Sequence, residues 1–195
     1  MKVDHDRFFT LPIFHKQKMS YNLQLVSSAK CYNGTVRQYK HTSPTLNCAE
    51  MFFHVFIPAA AQANETFPVI YFLSGLTCND TNFITKACAI EHASRLRVAL
   101  LCPDTSPRGA DVPTGAQGEW DFGLGAGFYV NATEEPYAKH YKMYDYVTKE
   151  LPAIVQANTA ELSINVQRQS VMVRVQQIFL FAHFFYKFFH FFSSL

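Results

Sequence analysis

A short loop after an apolar run holds the residues of this sequence that are best suited to chemistry. Val69 to Leu73 form the run, and Ser74-Gly75-Leu76-Thr77-Cys78 follow it directly. Glycine lets the backbone approach a bound molecule, and a backbone N–H can then bind the oxyanion that develops during acyl transfer. Serine and glycine are also common where a strand simply turns. The residues alone leave both interpretations open, an oxyanion loop and a plain turn.

An acyl-transfer site of this kind also needs a nucleophile. A serine nucleophile commonly stands in a Gly-x-Ser-x-Gly turn between a strand and a helix. No such turn occurs in the 195 residues, and the predicted strand Gln169 to Val173 runs into Arg174-Val175-Gln176-Gln177. His183 and His190 lie in a compositionally unrelated tail. On the residues alone, no serine is therefore identified as a nucleophile of this kind.

Bulk composition excludes several classes of protein. The length of 195 residues suffices for one domain with a core. A formal net charge of +2, without a run of Lys or Arg, argues against nucleic-acid binding. The five cysteines are an odd number with no C-x-x-C pair, which argues against a zinc site and predicts free thiols in a reducing compartment. We expect no metal.

Four Asn-x-Thr sequons argue for secretion, against the reducing compartment that the cysteines indicate. They begin at Asn33, Asn64, Asn79 and Asn131. They would be glycosylated only in a secreted chain, and residues 1–20 make a poor signal peptide because of their acidic start and Pro12. Because Asn and Thr also favour turns, we predict a cytoplasmic protein. A secreted or membrane-attached glycoprotein is the alternative.

Strand and helix patterns alternate along the chain, which predicts an α/β sheet with helices on both faces. Asn33-Gly34 predicts a hairpin turn, and Asp80 is the expected N-cap of the first helix. The expected strands are Leu23 to Val26, Thr35 to His41, Met51 to Ile57, Val69 to Leu73, Val98 to Cys102 and Gln169 to Val173. The expected helices are Thr81 to Leu96 and Pro136 to Asn158.

Two segments carry finer expectations. In the second helix, Asp145 and Lys149 are spaced for an i,i+4 ion pair, and Pro152 should remove one hydrogen bond and kink the helix. The glycine-rich segment Thr105 to Thr133 is too long for an ordinary connection, so we expect it to pack over a site. Asp104 and Arg108 should pair and brace its start.

Composition divides the chain into three regions. We predict an unstructured or non-native leader at 1–20, a globular domain at 21–172 and an aberrant tail at 173–195. Ile178 to Leu195 contains eight of the 19 phenylalanines, with Lys187 among them. It is short and charged for a membrane anchor, so no membrane is predicted, and it lacks the polar face of a core element. After a membrane anchor and a core element, the third interpretation of this tail is that it is translated from T-rich non-coding DNA.

Four long strings resemble the S-formylglutathione hydrolase family, also called esterase D. They are Phe72-Leu-Ser-Gly-Leu-Thr-Cys78, Pro103-Asp-Thr-Ser-Pro-Arg-Gly109, Trp120-Asp-Phe-Gly-x-Gly-Ala-Gly-Phe-Tyr129 and Tyr141-x-Met-Tyr-x-Tyr-Val-Thr-x-Glu-Leu-Pro152. The resemblance covers roughly Tyr21 to Met172, about the first half of such an enzyme. It implies the N-terminal part of a doubly wound, mostly parallel α/β-hydrolase sheet.

The resemblance also implies a function. The family hydrolyses S-formylglutathione to formate and glutathione in formaldehyde removal, as cytosolic homodimers without a metal or organic cofactor. In the family, the string matching Arg168-Gln-Ser-Val-Met172 leads into Gly-His-Ser-Met-Gly-Gly, whereas here Val173 follows. The resemblance therefore predicts a chain without its nucleophile turn, without the catalytic serine, aspartate and histidine, and without activity. The alternative is a non-catalytic fragment that pairs with a full-length homologue.

Site residues follow from the same strings. The resemblance implies that the Leu76 N–H is an oxyanion donor and that Gly75 admits the substrate. Cys78 would lie beside the pocket, although it also suits a small buried residue in a helix-entry loop. Trp120 and Phe128 would wall the acyl pocket, or else pack the core of their own loop.

Overall fold

A computed structural model describes residues 21–47, 49–115 and 120–174. The predicted leader at 1–20, Cys48 and the tail from residue 175 onward lie outside these residues, so the interpretations of the leader and tail stay predictions.

The described elements alternate between strands and helices after a strand-rich start. The strands are β1 (Gln24–Cys31), β2 (Gly34–Ser43), β3 (Ala49–Pro58), β4 (Phe67–Leu73), β5 (Ala99–Pro103) and β6 (Ile164–Val173). The helices are α1 (Asp80–Lys86), α2 (Ala89–Leu96), α3 (Met143–Asp145), α4 (Leu151–Ala157) and α5 (Thr159–Leu162), with a π-helical segment (Tyr146–Glu150) between α3 and α4.

The described strands form one mixed sheet in the order β1-β2-β3-β5-β4-β6. The pairs β1–β2, β2–β3 and β3–β5 are antiparallel, whereas β4 runs parallel to both β5 and β6. The parallel half is the part that the buried apolar runs Val69 to Leu73 and Val98 to Cys102 predicted. The antiparallel half makes the described sheet mixed, not mostly parallel.

Apolar layers cover both faces of the sheet. On one face, β-strand residues pack against α3, the π-helical segment and α4; the largest fully buried side chains there include Tyr39, Phe53, Tyr71, Leu101, Tyr146, Leu151 and Ile154. On the other face, strand residues pack against α1 and α2; this layer contains Phe56, Phe72, Ile84, Ile90, Ala93, Leu100 and Cys102. Helices on both faces confirm the predicted α/β architecture.

The hairpin between β1 and β2 forms where it was predicted, with its turn one residue earlier. Cys31 pairs with Gly34, so Tyr32 and Asn33 are the turn residues. Both have positive φ, 43° and 56°, which suits a tight two-residue hairpin turn. Gly34 is already in the strand, where an added Cβ would lie 2.5 Å from the Phe56 ring.

The first predicted helix, Thr81 to Leu96, is in fact two helices with a different cap. Cys88 has φ 52° and separates α1 from α2. Asn79, and not Asp80, is the N-cap of α1, because its side chain accepts from the Thr81 N–H while Asn82 Oδ1 accepts from the Asn79 N–H. The Asp80 carboxylate instead accepts from Gln38 Nε2 at 2.8 Å and lies 2.8 Å from His54 Nδ1.

The second predicted helix begins later than expected and widens before its proline. Regular helix starts at Met143 and not at Pro136, and the expected ion pair between Asp145 and Lys149 forms at 2.7 Å. Pro152 stands in the first turn of α4, directly after the π-helical segment. Because proline has no N–H to donate, the regular i→i+4 ladder is interrupted there, and the wider π turn is the observed form of the predicted distortion.

Glu150 is a buried acid at the end of the π-helical segment. Its Oε2 accepts from Ser43 Oγ and the Thr45 N–H, both at 2.9 Å. His41 Nε2 lies 3.6 Å from Oε1, which is too far for a hydrogen bond. Burial alone would raise the pKa of Glu150, but the interactions with His41, Thr45 and Ser43 outweigh it and hold the pKa below the ordinary 4.5.

Because the pKa of Glu150 is lower in the folded chain, its ionised form stabilises the fold above the unfolded value near 4.5, and this stabilisation is lost as the pH falls through the lowered pKa. We expect Glu150→Gln to lower the free energy of unfolding by about 1–2 kcal/mol at pH 7. The difference from wild type should shrink below about pH 4.5. Urea denaturation between pH 3.5 and 7 measures this, with exposed Glu134→Gln as the control. A difference that is independent of pH would contradict the assignment.

Candidate oxyanion site

The candidate site lies at the C-terminal ends of the parallel strands. Leu73, the last residue of β4, is in register with Val173 of β6. The Arg174 N–H donates to the Leu73 carbonyl at 3.1 Å, so the chain leaving β6 starts beside the loop that leaves β4. In open α/β sheets, ligands bind outside the carboxyl ends of the strands. This places Ser74 to Cys78 where a ligand is expected.

The loop after β4 contains a tight turn from Gly75 to Cys78. The Cys78 N–H donates to the Gly75 carbonyl at 3.2 Å, which closes the turn. Thr77, its third residue, has φ 65°. A positive φ at this position is the requirement of a type II turn and normally selects glycine. A β-branched residue there is strained, and strain of this kind persists where the surroundings enforce it.

The turn determines where the Leu76 N–H points. Gly75 and Leu76 share one peptide unit, and in a trans peptide the N–H points opposite to the C=O. The Gly75 carbonyl points into the turn, towards Cys78, so the Leu76 N–H points out of it. No acceptor for this N–H occurs in the described part of the chain, and Leu76 itself is half-buried. That this N–H serves as an oxyanion donor stays a prediction.

The glycine-rich loop that contains Gly123, Gly125 and Gly127 forms hydrogen bonds with the turn. The Thr77 N–H donates to the Gly125 carbonyl at 3.0 Å, and the Gly125 N–H donates to Ser106 Oγ at 2.8 Å. Gly125 has φ 78°, and an added Cβ would lie 3.3 Å from Thr77 Cα. Glycine is needed here both for the backbone conformation and for the close approach.

Two further contacts join the same loop to the turn. Tyr129 Oη donates to the Ser74 carbonyl at 2.8 Å, and the Thr105 hydroxyl donates to the Cys78 carbonyl. Gly127 lies against the chain that follows β5: an added Cβ would be 2.5 Å from the Thr105 carbonyl oxygen. The expectation that Thr105 to Thr133 packs over a site agrees with these contacts for its described residues.

Asp104 and Arg108 form the predicted brace at the start of this long segment. Arg108 Nε donates to Asp104 Oδ2 at 2.8 Å and Nη2 donates to Oδ1 at 2.7 Å, a bidentate pair. The backbone of Arg108 also pairs with Glu50 on β3. Burial raises the pKa of Asp104, and the hydrogen bonds and charge of Arg108 oppose that rise. The ion pair braces this segment, and the backbone bonds between Arg108 and Glu50 connect the segment to the sheet.

The structure brings some predicted site residues together and leaves others apart. Gly75, Leu76 and Cys78 share the turn, and Cys78 is half-buried. Phe128 is half-buried in the adjoining glycine-rich loop. Trp120 is 66% exposed, so in the described residues it does not form a buried wall. The pocket roles of Cys78, Trp120 and Phe128 stay predictions.

Sequence reasoning missed the residues that support the turn. Ser106, Gly125 and Tyr129 were noticed only as members of a loop or a string, without a contact assigned to them. The spacing Gly123-x-Gly125-x-Gly127 was a usable signal, because repeated glycines indicate a backbone in close contact with something. The partner of each contact could not be read from the sequence.

The described residues also bear on three other features: metal sites, cysteine thiols and membrane-spanning helices. Within residues 21–47, 49–115 and 120–174, no group of three or more His, Cys, Asp or Glu side chains could hold a metal ion. The four cysteines described, at positions 31, 78, 88 and 102, are free thiols, as predicted. None of the described helices has the length and apolar character needed to cross a membrane.

A mixed sheet with helices on both faces, and a tight turn at the carboxyl end of β4, define a protein of the α/β-hydrolase class. Residues 43–172 match the family model for esterases, described as "Putative esterase". The chain belongs to this esterase family.

Named relatives narrow the resemblance within the family. The chain is 47% identical to S-formylglutathione hydrolase of Arabidopsis thaliana over 144 residues, which are 74% of this chain and 50% of the relative. It is 44% identical to the Mus musculus S-formylglutathione hydrolase over 149 residues, 76% of this chain and 51% of the relative. The chain thus spans about half the length of these curated relatives.

Solved structures agree with the fold. An S-formylglutathione hydrolase from Agrobacterium tumefaciens superposes with a TM-score of 0.71 at 42% identity, covering 77% of this chain and 52% of that one. A ferulic acid esterase superposes with a TM-score of 0.51 at 13% identity, over 74% of this chain and 50% of that one, and supports the fold alone. The predicted fold class and family resemblance are confirmed.

We expect Gly125→Ala to destabilise the chain by about 1–3 kcal/mol, because alanine at this positive φ is strained and its Cβ presses on Thr77. Hydrogen exchange at the Thr77 and Cys78 amides should accelerate, since both report on the turn. Gly109→Ala is the control: it also places alanine at a positive φ, but its nearest contact is Val112 Cγ2 at 3.6 Å. Equal acceleration at the turn in both variants would contradict a local role for Gly125.

Proposed function

We propose that this chain carries the oxyanion-binding half of an S-formylglutathione hydrolase site and that it does not turn over substrate by itself. The observation that carries the proposal is the position of the Leu76 N–H. It is directed out of a strained turn at the end of β4, beside the end of β6. The identity to proteins named S-formylglutathione hydrolase supports the substrate class, a small-molecule thioester.

The chemistry of thioester hydrolysis divides into a nucleophile and an oxyanion hole. A serine attacks the carbonyl carbon, and backbone N–H groups hold the negative charge that develops on the oxygen. In this proposal the Leu76 N–H is one such donor and Gly75 leaves room for the acyl group. In the family string the nucleophile turn begins where Val173 stands, at the end of β6 and next to this donor. In this chain Val173 and Arg174 stand at that position of the sequence instead.

Two acid–histidine pairs among the described residues do not supply a triad. Ser43, beside His41 and Glu150, is fully buried and donates to the Glu150 carboxylate and not to the histidine. His54 and Asp80 form a buried pair, but they lie on β3 and at the start of α1, and Asp80 is also held by Gln38. Asp121 is exposed in the glycine-rich loop. The cytoplasmic location and the homodimer of the family belong to the proposal as well.

We expect purified full chain to hydrolyse S-formylglutathione about a million-fold more slowly than an intact relative, because loss of a complete triad has an effect of that order in serine hydrolases. Formate release measures turnover, and a fluorophosphonate probe followed by peptide mapping locates any reactive serine. The Arabidopsis thaliana relative serves as the positive control. Turnover near that of the relative, or a probe adduct on a serine of this chain, would refute the proposal.

A second candidate function is pairing with a full-length homologue. It is favoured by strand β6, which forms the edge of the sheet among the described residues. Its Met172 side chain is 51% exposed. An unpaired edge offers a row of backbone donors and acceptors to another chain, and apolar side chains on it add to that attraction.

Co-expression of the tagged chain with an intact relative tests the pairing. We expect the two to co-purify, and we expect Met172→Lys to weaken the complex because lysine on an edge strand opposes strand addition. Leu96→Lys is the control, since Leu96 is similarly apolar and exposed but lies on α2. Absence of a complex, or equal weakening by both variants, would exclude pairing through β6.

A further inference from the structure

The hydroxyl of Tyr129 holds the residue that precedes the oxyanion turn. It donates to the Ser74 carbonyl at 2.8 Å. That carbonyl belongs to the peptide unit joining Ser74 to Gly75, so the hydrogen bond fixes the plane of that unit. Gly75 comes next, and its side-chain-free backbone is the most freely rotating joint of the loop.

The turn is therefore held at both ends by the glycine-rich loop. Tyr129 fixes the entry through Ser74, and the Gly125 carbonyl fixes the far side through the Thr77 N–H. Leu76 lies between these two points. If the entry were released, rotation about Gly75 would swing the Gly75–Leu76 peptide unit and change the direction of the Leu76 N–H.

Backbone strain in the glycine-rich loop indicates that the placement of Tyr129 is enforced. Phe128 and Tyr129 have φ of 50° and 53°, two consecutive aromatic residues in the left-handed region. Bulky residues are rarely found there, and such conformations persist only where surrounding contacts over-determine them. Gly127, just before them, is packed against the Thr105 carbonyl and Met143.

The phenol also stays in its donor form. Burial raises the pKa of Tyr129 well above 10, and the negative charge of Asp104 acts in the same direction. The hydroxyl is thus protonated at neutral and mildly alkaline pH, so the hydrogen bond to Ser74 is available throughout the range in which a thioesterase is assayed.

We propose that Tyr129 is a positioning residue that aims the Leu76 N–H at the developing oxyanion by fixing the Ser74–Gly75 peptide. The proposal rests on the function proposed above, in which this N–H is the donor. Tyr129 touches neither substrate nor reacting atoms in this scheme and acts through the turn alone.

The test compares Tyr129→Phe with Tyr141→Phe in the full chain. Tyr141 is a matched control, because its hydroxyl also donates to a backbone carbonyl, that of Pro113, away from the turn. Two readouts are needed: hydrogen exchange at the Thr77 and Cys78 amides, and the amide resonance of Leu76 in leucine-labelled protein during titration with S-formylglutathione. Glutathione, which lacks the formyl carbonyl, is the control ligand, and thermal melting checks that each variant folds.

We expect Tyr129→Phe to accelerate exchange at Thr77 and Cys78 by several-fold up to about tenfold, the equivalent of one lost hydrogen bond. The Leu76 resonance should shift with S-formylglutathione in wild type and Tyr141→Phe, and should not shift in Tyr129→Phe. Wild-type exchange and a preserved shift in Tyr129→Phe would overturn the proposal, as would equal changes in both variants.

The two proposals fail in different ways. If the Leu76 resonance of the wild-type chain ignored S-formylglutathione, the oxyanion role would be refuted, and with it the aiming role of Tyr129. Accelerated exchange confined to Tyr129→Phe would then assign to Tyr129 only the ordering of the turn. If wild type responds and Tyr129→Phe responds equally, the oxyanion role stands and the positioning role is refuted.

Discussion

The close approach of Gly125 to Thr77 is the contact on which the candidate site depends. A turn with a β-branched residue at positive φ is not stable by its own local preference. It is held because the Gly125 backbone approaches Thr77 closely and accepts its N–H. Any side chain at position 125 would press on the turn. The direction of the Leu76 N–H is thus set by a residue almost fifty positions further along the chain.

The contact between Gly125 and Thr77 is in turn connected to the sheet through polar groups. Ser106 holds Gly125, and Ser106 lies between Asp104 and Arg108, whose backbone N–H groups donate to Phe52 and Glu50 of β3. The bidentate ion pair between Asp104 and Arg108 braces the same short segment. Because β4 and β5 are largely buried, small movements of these two strands are resisted, and the turn that follows β4 is held in place with them.

The sequence predicted the elements better than their ends and their contacts. Buried runs such as Val69 to Leu73 identified parallel strands because burial on both faces leaves a continuous apolar signature. The break at Cys88 could not be read, since residues on either side keep helical spacing and only the left-handed backbone of Cys88 separates the helices. The choice of Asn79 over Asp80 as cap was decided by His54 and Gln38, which engage the Asp80 carboxylate from distant strands.

At the candidate site, too, the sequence predicted residues better than it predicted their contacts. Leu76 and Gly75 were predicted from the resemblance of their string to the S-formylglutathione hydrolase family, and Asp104 and Arg108 were predicted to pair because an acid and a base four residues apart suggest it. Tyr129 and Ser106 were not assigned a contact, because each bonds a backbone atom, and a backbone atom carries no sequence signature. The exposure of Trp120 could likewise not be predicted from the sequence, since a large aromatic residue in a glycine-rich loop suits a pocket wall as well as a surface.

All described supports of the oxyanion turn come from segments that precede β6. Ser74 to Cys78, Thr105, Ser106, Gly125 and Tyr129 bond to one another, while β6 contributes its position beside β4 and a single backbone bond from Arg174 to Leu73. Preorganised donors lower the barrier of acyl transfer because they need not move when charge develops. Among the described residues, the supports of the turn therefore lie before β6 in the chain. Under the function proposed above, a chain that carries Val173 and Arg174 in place of the nucleophile turn would keep the donor in its working direction and lack the group that attacks.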